Sequence, residues 1–227
     1  MNLVGFKKIV KLVFALLLAG LGLLAAIIEL PQEQSEVQDE LSTALAAYRK
    51  AVELDPNNAE AWNKLGYLFY KTGELAQAEE AFRKVLALGE AHQDKEEQAK
   101  ALGNLGFIYH TRGELDQAEE MYQKALELNE ALGRKEGIAL AYANLGNLHD
   151  GRDNLEQAEV DWRKSLHLYQ EIGAMQHPYA KKVQRRLDHL IQEYNTALAA
   201  SRKAVELDPN NEETWHELGY LFYKTGE

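Results

Sequence analysis

Cysteine is absent from the 227 residues. That excludes disulfide scaffolds, thiolate nucleophiles and Cys-ligated zinc, but it does not fix the redox compartment. Basic residues are outnumbered, 25 Lys and Arg against 36 Asp and Glu, for a formal net charge of −11. Sequence-independent nucleic-acid binding needs basic surface to neutralise phosphates, so no nucleic-acid partner is expected. The histidines stand at 92, 110, 149, 167, 177, 189 and 216 and show neither His-x-x-x-His nor His-Glu-x-x-His spacing, so no metal site is expected. Gly-rich phosphate loops and a Gly-x-Ser-x-Gly elbow are missing too. Nothing in the chain suggests a cofactor or a catalytic constellation, and the expectation is a protein that is not an enzyme. The length is enough for one or two domains with a sizeable core.

One long apolar run is present. Leu12 to Ile28 is uninterrupted by polar residues, with Lys7, Lys8 and Lys11 before it and Glu29, Glu33, Glu36, Asp39 and Glu40 after it. About twenty helical residues span the roughly 30 Å of a bilayer core, and Lys11 can snorkel. Residues 1–30 therefore read as an N-terminal transmembrane helix, and 31–39 as an acidic linker. A cleaved signal peptide shares the positive start, but prefers a shorter apolar region and small residues at the cleavage site. Here Ala25-Ala26-Ile27-Ile28-Glu29-Leu30 places bulky residues there. The anchor is the favoured reading; secretion after cleavage and a buried core helix are the alternatives. Positive charge on the N-terminal side keeps that side in the cytoplasm. The rest of the chain is then expected outside a bacterial inner membrane, on the periplasmic side. Removing three Lys and one Glu with residues 1–30 leaves the remainder at −13 against −11 for the whole.

The remainder repeats with a step of 40. Leu65-Gly66, Leu105-Gly106 and Leu145-Gly146 keep it, as do Leu75, Leu115 and Leu155, and Gln77-Ala78, Gln117-Ala118 and Gln157-Ala158. Phe82, Tyr122 and Trp162 are aromatic in register, while Asp153 replaces the Gly seen at 73 and 113. Trp62, Leu65, Gly66 and Phe69 fall on one helical face, and Leu75, Ala78, Phe82 and Val85 on another. Each unit is thus a helix, a tight turn and a second helix. Gly66 and Ala78 are expected to be small because two antiparallel helices approach there. Acidic pairs such as Glu79-Glu80 and Glu119-Glu120 recur with the unit, and read as surface features of the repeat.

Trp62-x-x-Leu65-Gly66-x-x-Phe69, followed by Ala78 and Phe82, resembles the tetratricopeptide repeat. Pro56 and Pro209, each in Leu-Asp-Pro-Asn-Asn, stand where the resemblance expects a unit boundary, and the Asn that follows can cap the next helix. The 40-residue step is similar to the longer variety in kinesin light chains and spindle-orientation adaptors. The extra residues are expected to lengthen the second helix and its loop. The implied fold is all-α, an α-solenoid of antiparallel helix pairs preceded by one transmembrane helix, with the array over 40–227. It divides into a half unit at 40–58, full units at 59–92, 99–132 and 139–172, a degenerate unit at 178–211 and an incomplete unit at 212–227. Residues 178–207 lack Gly or Pro after Pro178, and read as either a degenerate pair or one long helix. Thr43–Glu74 and Thr196–Glu227 match at 27 of 32 positions, a recent duplication or deliberate construction. The sequence stops after a first helix; a truncated chain is the favoured reading, and cover by another copy the other.

By the same resemblance, first helices line a concave binding face. The lining positions here include Asn63, Lys64, Tyr67 and Tyr70; Lys100, Asn104, Phe107 and His110; and Asn144, Asn147 and Asp150. The resemblance gives Asn104 and Asn144 the task of holding a peptide backbone, for which a primary amide offers donor and acceptor. Lys64 and Glu217 interrupt that ladder. Lys64, Lys100 and Asn104 fall short of the set that chaperone-tail binding requires. Lys181, Lys182, Arg185, Arg186 and His189 form a basic cluster, read either as a site for an anionic partner or lipid headgroup or, in so acidic a chain, as a solvated face. The expected function is a membrane-anchored scaffold that binds a protein or peptide. The alternative is a structural homo-oligomer assembled through the membrane helix or the terminal repeat.

Overall fold

The computed structural model describes residues 39–225. The apolar run at 12–28 lies outside them. Among the described residues there are only helices and turns, and no helix is long and apolar enough to cross a membrane. The chain falls into two compact units, one ending at Ala78 and one running from Glu79.

The first unit holds α1, over residues 39–54, and α2, Ala59–Lys71. The Leu-Asp-Pro-Asn-Asn turn separates them. Asn58 caps α2 by accepting from the Ala61 N–H at 2.9 Å, and the Trp62 indole donates to the Pro56 carbonyl at 2.9 Å. Val52, Leu65 and Phe69 are buried, and the Arg49 guanidinium lies 5.3 Å from the Phe69 ring centre. The duplicated segment folds in the same way: Trp215 donates to the Pro209 carbonyl at 2.9 Å, and Asn211 accepts from Glu213 and Thr214.

Helix α3, Leu75–Ala91, leads into the second unit, followed by α4 (Lys95–Thr111), α5 (Leu115–Ala131), α6 (Lys135–Gly151), α7 (Leu155–Glu171), α8 (Pro178–Leu207) and α9 (Glu212–Thr225). From α3 to α7 every helix has 17 residues. The turn before α3 and the turn after each of these helices carry a residue in the left-handed region, at Gly73, Gln93, Gly113, Gly133, Asp153 and Gly173. These positions are 20 residues apart, so the 40-residue step is two equal helix-and-turn modules. Glycine adopts this conformation freely; Gln93 and Asp153 hold it at φ of 56° and 58°. The extra residues of the long unit therefore extend both helices, and the loop stays at three residues, contrary to the expected longer loop.

Antiparallel neighbours α4 and α5, α6 and α7, and α8 and α9 pack as pairs, and α5 against α6 and α7 against α8 stack the pairs. The first helices α4, α6 and α8 are also neighbours, which places them on one side of this unit. Residues 178–207 are a single 30-residue helix, which settles the open alternative. Its sequence offers no residue to break it, and Val183, Leu187, Leu190, Tyr194, Leu198 and Val205 keep one face buried throughout.

The repeated Leu-Gly has a steric cause. A Cβ on Gly106 would lie 2.6 Å from Tyr122 Cδ1, and one on Gly146 2.5 Å from Trp162 Cδ1. The aromatic of each second helix seats itself against the bare backbone of the first.

The first-helix face and the clasps behind it

On α4, Lys100, Asn104 and Phe107 recur at i, i+4 and i+7, one face of a helix. Lys100 is exposed and pairs with Glu96 at 2.8 Å, Asn104 is half-buried, and Phe107 is 38% exposed. His110 is half-buried further along. Burial, and then the positive charges of Arg186 and Lys182, hold its imidazole below the ordinary 6.5. On α6, Asn144 is half-buried. Asn147 has a structural task that the sequence did not suggest: its Oδ1 accepts from the indole N–H of buried Trp162 at 3.2 Å. Asp150 pairs with Arg186 at 2.6 Å. Helices α4, α6 and α8 are neighbours, and Asp150 and His110 both lie near Arg186 of α8, whereas Asn147 turns to Trp162 on α7.

In the first unit, α2 carries the remaining candidates. Asn63 and Tyr70 are half-buried, and Lys64 and Tyr67 are exposed. The Tyr67 and Tyr70 rings lie 6.3 Å apart, and Lys71 Nζ sits 5.3 Å from the Tyr67 ring centre.

The acidic pairs depart from the expected surface role. Glu80 and Glu120 are exposed, and Glu120 pairs with Lys124 at 2.6 Å within its own helix. The first Glu of each pair turns inward. Glu79, with a side chain 12% exposed, accepts from Arg112 and from the Tyr109 hydroxyl at 3.0 Å, and pairs with Arg83 at 2.6 Å. One step on, Glu119 takes Arg152, and His149, in the register of Tyr109, lies 2.9 Å from Asp161. One step further, Glu159 holds Arg163 at 2.9 Å and Lys224 at 3.4 Å. Glu79 on α3 and Glu119 on α5 therefore each clasp an arginine at the C-terminal end of the next first helix, and Glu159 on α7 a lysine near the C-terminal end of α9, where positive charge also suits the helix dipole. The signal was in the sequence, as Arg112 and Arg152 keep the same 40-residue step as Glu79 and Glu119.

Burial alone would raise the Glu79 carboxyl, but hydrogen bonds from Arg112 and Tyr109 and the charges of Arg83 and Arg112 outweigh it and hold it below the ordinary 4.5. A lowered folded-state value contributes stability above the unfolded value, and that stability is lost as pH falls through the folded one. The stability advantage of wild type over Glu79→Gln should therefore be full near neutrality and shrink below about pH 4.5. Urea unfolding of both proteins across that range measures it; a pH-independent difference would rule the clasp out.

A set of stacked helix pairs whose turns recur every 20 residues defines an α-helical repeat array. Tetratricopeptide repeat models match residues 59–92 and 97–172, and a TPR repeat model matches 38–73 and 188–226. The chain belongs to the tetratricopeptide repeat proteins, which generally bind protein partners. No curated protein sequence matches it. Its fold is similar to BtubC (BKLC) from P. vanneervenii, at a TM-score of 0.57 and 21% identity, over 83% of this chain and 82% of that one. It is also similar to the apo form of RapI, at a TM-score of 0.58 and 19% identity, over 84% of this chain and 55% of RapI. At such identities the likeness is one of fold.

Proposed function

We propose that this protein is a membrane-tethered, non-catalytic adaptor that holds a peptide or partner protein on the first-helix face of its repeats. The observation that carries this reading is the repetition on α4 and α6, where Asn104 and Asn144 stand one unit apart among aromatic and charged neighbours. Each amide supplies a donor and an acceptor at a regular interval, as an extended peptide backbone does. The tether is inferred from the apolar run at 12–28, and its flanking charges support an extracytoplasmic position for the repeats. Affinity recovery of partners with the Asn104→Ala/Asn144→Ala protein tests the face: recovery should fall about tenfold, equivalent to one to two lost hydrogen bonds. Unchanged recovery removes the reading.

A second reading, association between copies, is favoured by α9, where Trp215 is 51% and Tyr223 82% exposed. Mass measurement in solution separates the two, since a monodisperse monomer leaves only the adaptor.

A further inference from the structure

Helix α9 repeats the sequence of α2 but not its burial. On α2, Leu65, Gly66 and Phe69 are buried and Trp62 is half-buried. Of their counterparts on α9 only Leu218 is buried; Phe222 is half-buried, and Trp215 and Gly219 are exposed. Among the described residues nothing lies within 4 Å of a Cβ placed on Gly219, where Gly106 and Gly146 have Tyr122 and Trp162 against them. Gly219 is thus a first-helix seat without its aromatic. Helix α1 is the converse. Leu41, Ala44, Tyr48 and Ala51 repeat Leu75, Ala78, Phe82 and Val85 of α3 at an offset of 34, so α1 carries the pattern of a second helix. Tyr48 holds the place of Phe82, Tyr122 and Trp162. Those three are at most 3% exposed, whereas Ala44, Tyr48 and Ala51 are only half-buried.

We propose that α1 of one copy docks antiparallel on α9 of another, with Tyr48 seated on Gly219, so that the two complete one repeat unit between them. This rests on the association reading above and names the two surfaces that meet. The α6/α7 pair supplies the register. There Trp162 lies on Gly146, and Lys164, two residues on, stands 4.8 Å from the ring centre of Tyr142, four residues before that glycine. In the same register Lys50 meets the exposed ring of Trp215. The charges agree. Glu212, Glu213 and Glu217 are exposed in the N-terminal half of α9, and Arg49 and Lys50 outnumber Glu53 at the end of α1 that antiparallel pairing brings there. A second α9 does not fill the seat, since it carries glycine where an aromatic is needed. Because the two surfaces differ, the contact is heterologous, and association continues until a ring closes. One helix pair buries less than a standard interface, so the association is weak and concentration-dependent.

Mixing two defective proteins tests this. Gly219→Leu fills the seat and leaves α1 intact; Tyr48→Ala removes the aromatic and leaves α9 intact. Sedimentation of the full chain in detergent should show concentration-dependent association of wild type, weakened about tenfold or more in either variant. An equimolar mixture of the two variants should recover a one-to-one pair and stop there, and the double variant should join neither. Lys50→Glu, on an exposed side chain, should also weaken association, and far-UV circular dichroism confirms that each variant is folded. Wild type that stays monomeric overturns this proposal and the association reading together. Association that none of the variants weakens overturns the proposal and leaves association through another surface standing, residues 1–38 included. Weakening in the variants without recovery on mixing means that like faces meet, as two α9 helices would, and overturns it as well.

Discussion

Trp162→Ala is expected to destabilise the protein by about 3–5 kcal/mol, the range for emptying a buried aromatic site. The ring is 2% exposed and lies in a cluster with Ala139, Ala143, Leu166, Val183, Leu187 and Leu190, contributed by α6, α7 and α8. Three helices lose contact with it at once, so local collapse cannot refill the space. The change also leaves Asn147 Oδ1 without its indole donor. Trp162→Phe separates the two effects: it keeps most of the apolar volume, loses the hydrogen bond, and should cost about 1–2 kcal/mol. Urea unfolding followed by far-UV circular dichroism gives both values. A loss below about 1 kcal/mol for the alanine variant would mean that the ring is not a keystone of these pairs.

Gly146→Ala should cost about 1–3 kcal/mol, against the usual direction for this change in a helix. Alanine ordinarily gains up to about 1 kcal/mol over glycine there, because glycine has more backbone freedom to lose. At this position the new Cβ meets Trp162 Cδ1 at 2.5 Å and Nε1 at 2.6 Å. The ring cannot turn aside, since it is buried and bonded to Asn147. Gly103→Ala is the matched control, as it is helical and has nothing within 4 Å of the added carbon. It should be neutral or stabilising. Combining Gly146→Ala with Trp162→Phe should cost less than the two separately, because the smaller ring yields the space in dispute. Equal signs for Gly146→Ala and Gly103→Ala would refute the close approach.

Much of this was legible in the sequence, because Leu105-Gly106 and Leu145-Gly146, with Tyr122 and Trp162, record a packing requirement that leaves little choice of residue. The half-step of 20 was hidden. The turns between units use Gln93, Gly133 and Gly173, and the helices begin alternately with Leu and Lys, so no residue type marks it. The long α8 could not be chosen over a broken pair from composition alone, since lack of a turn residue permits one helix without requiring it. Glu79 and Glu119 read as surface because a charged residue is normally solvated; only the arginines 33 residues on explain their burial. Of the candidate face, the positions on α4 and α6 were legible as a register. The roles of Asn147 and Asp150 were not, as their partners Trp162 and Arg186 are 15 and 36 residues away.

The central claim is that a partner lies along the first helices. Photo-crosslinking in cells, from a benzophenone side chain at 104 or 144 on the first helices and, as control, at 120 on α5, tests it most directly. Crosslinks to a partner from 104 and 144 and none from 120 are predicted. Crosslinks from 120 alone, or equally from all three, would contradict it.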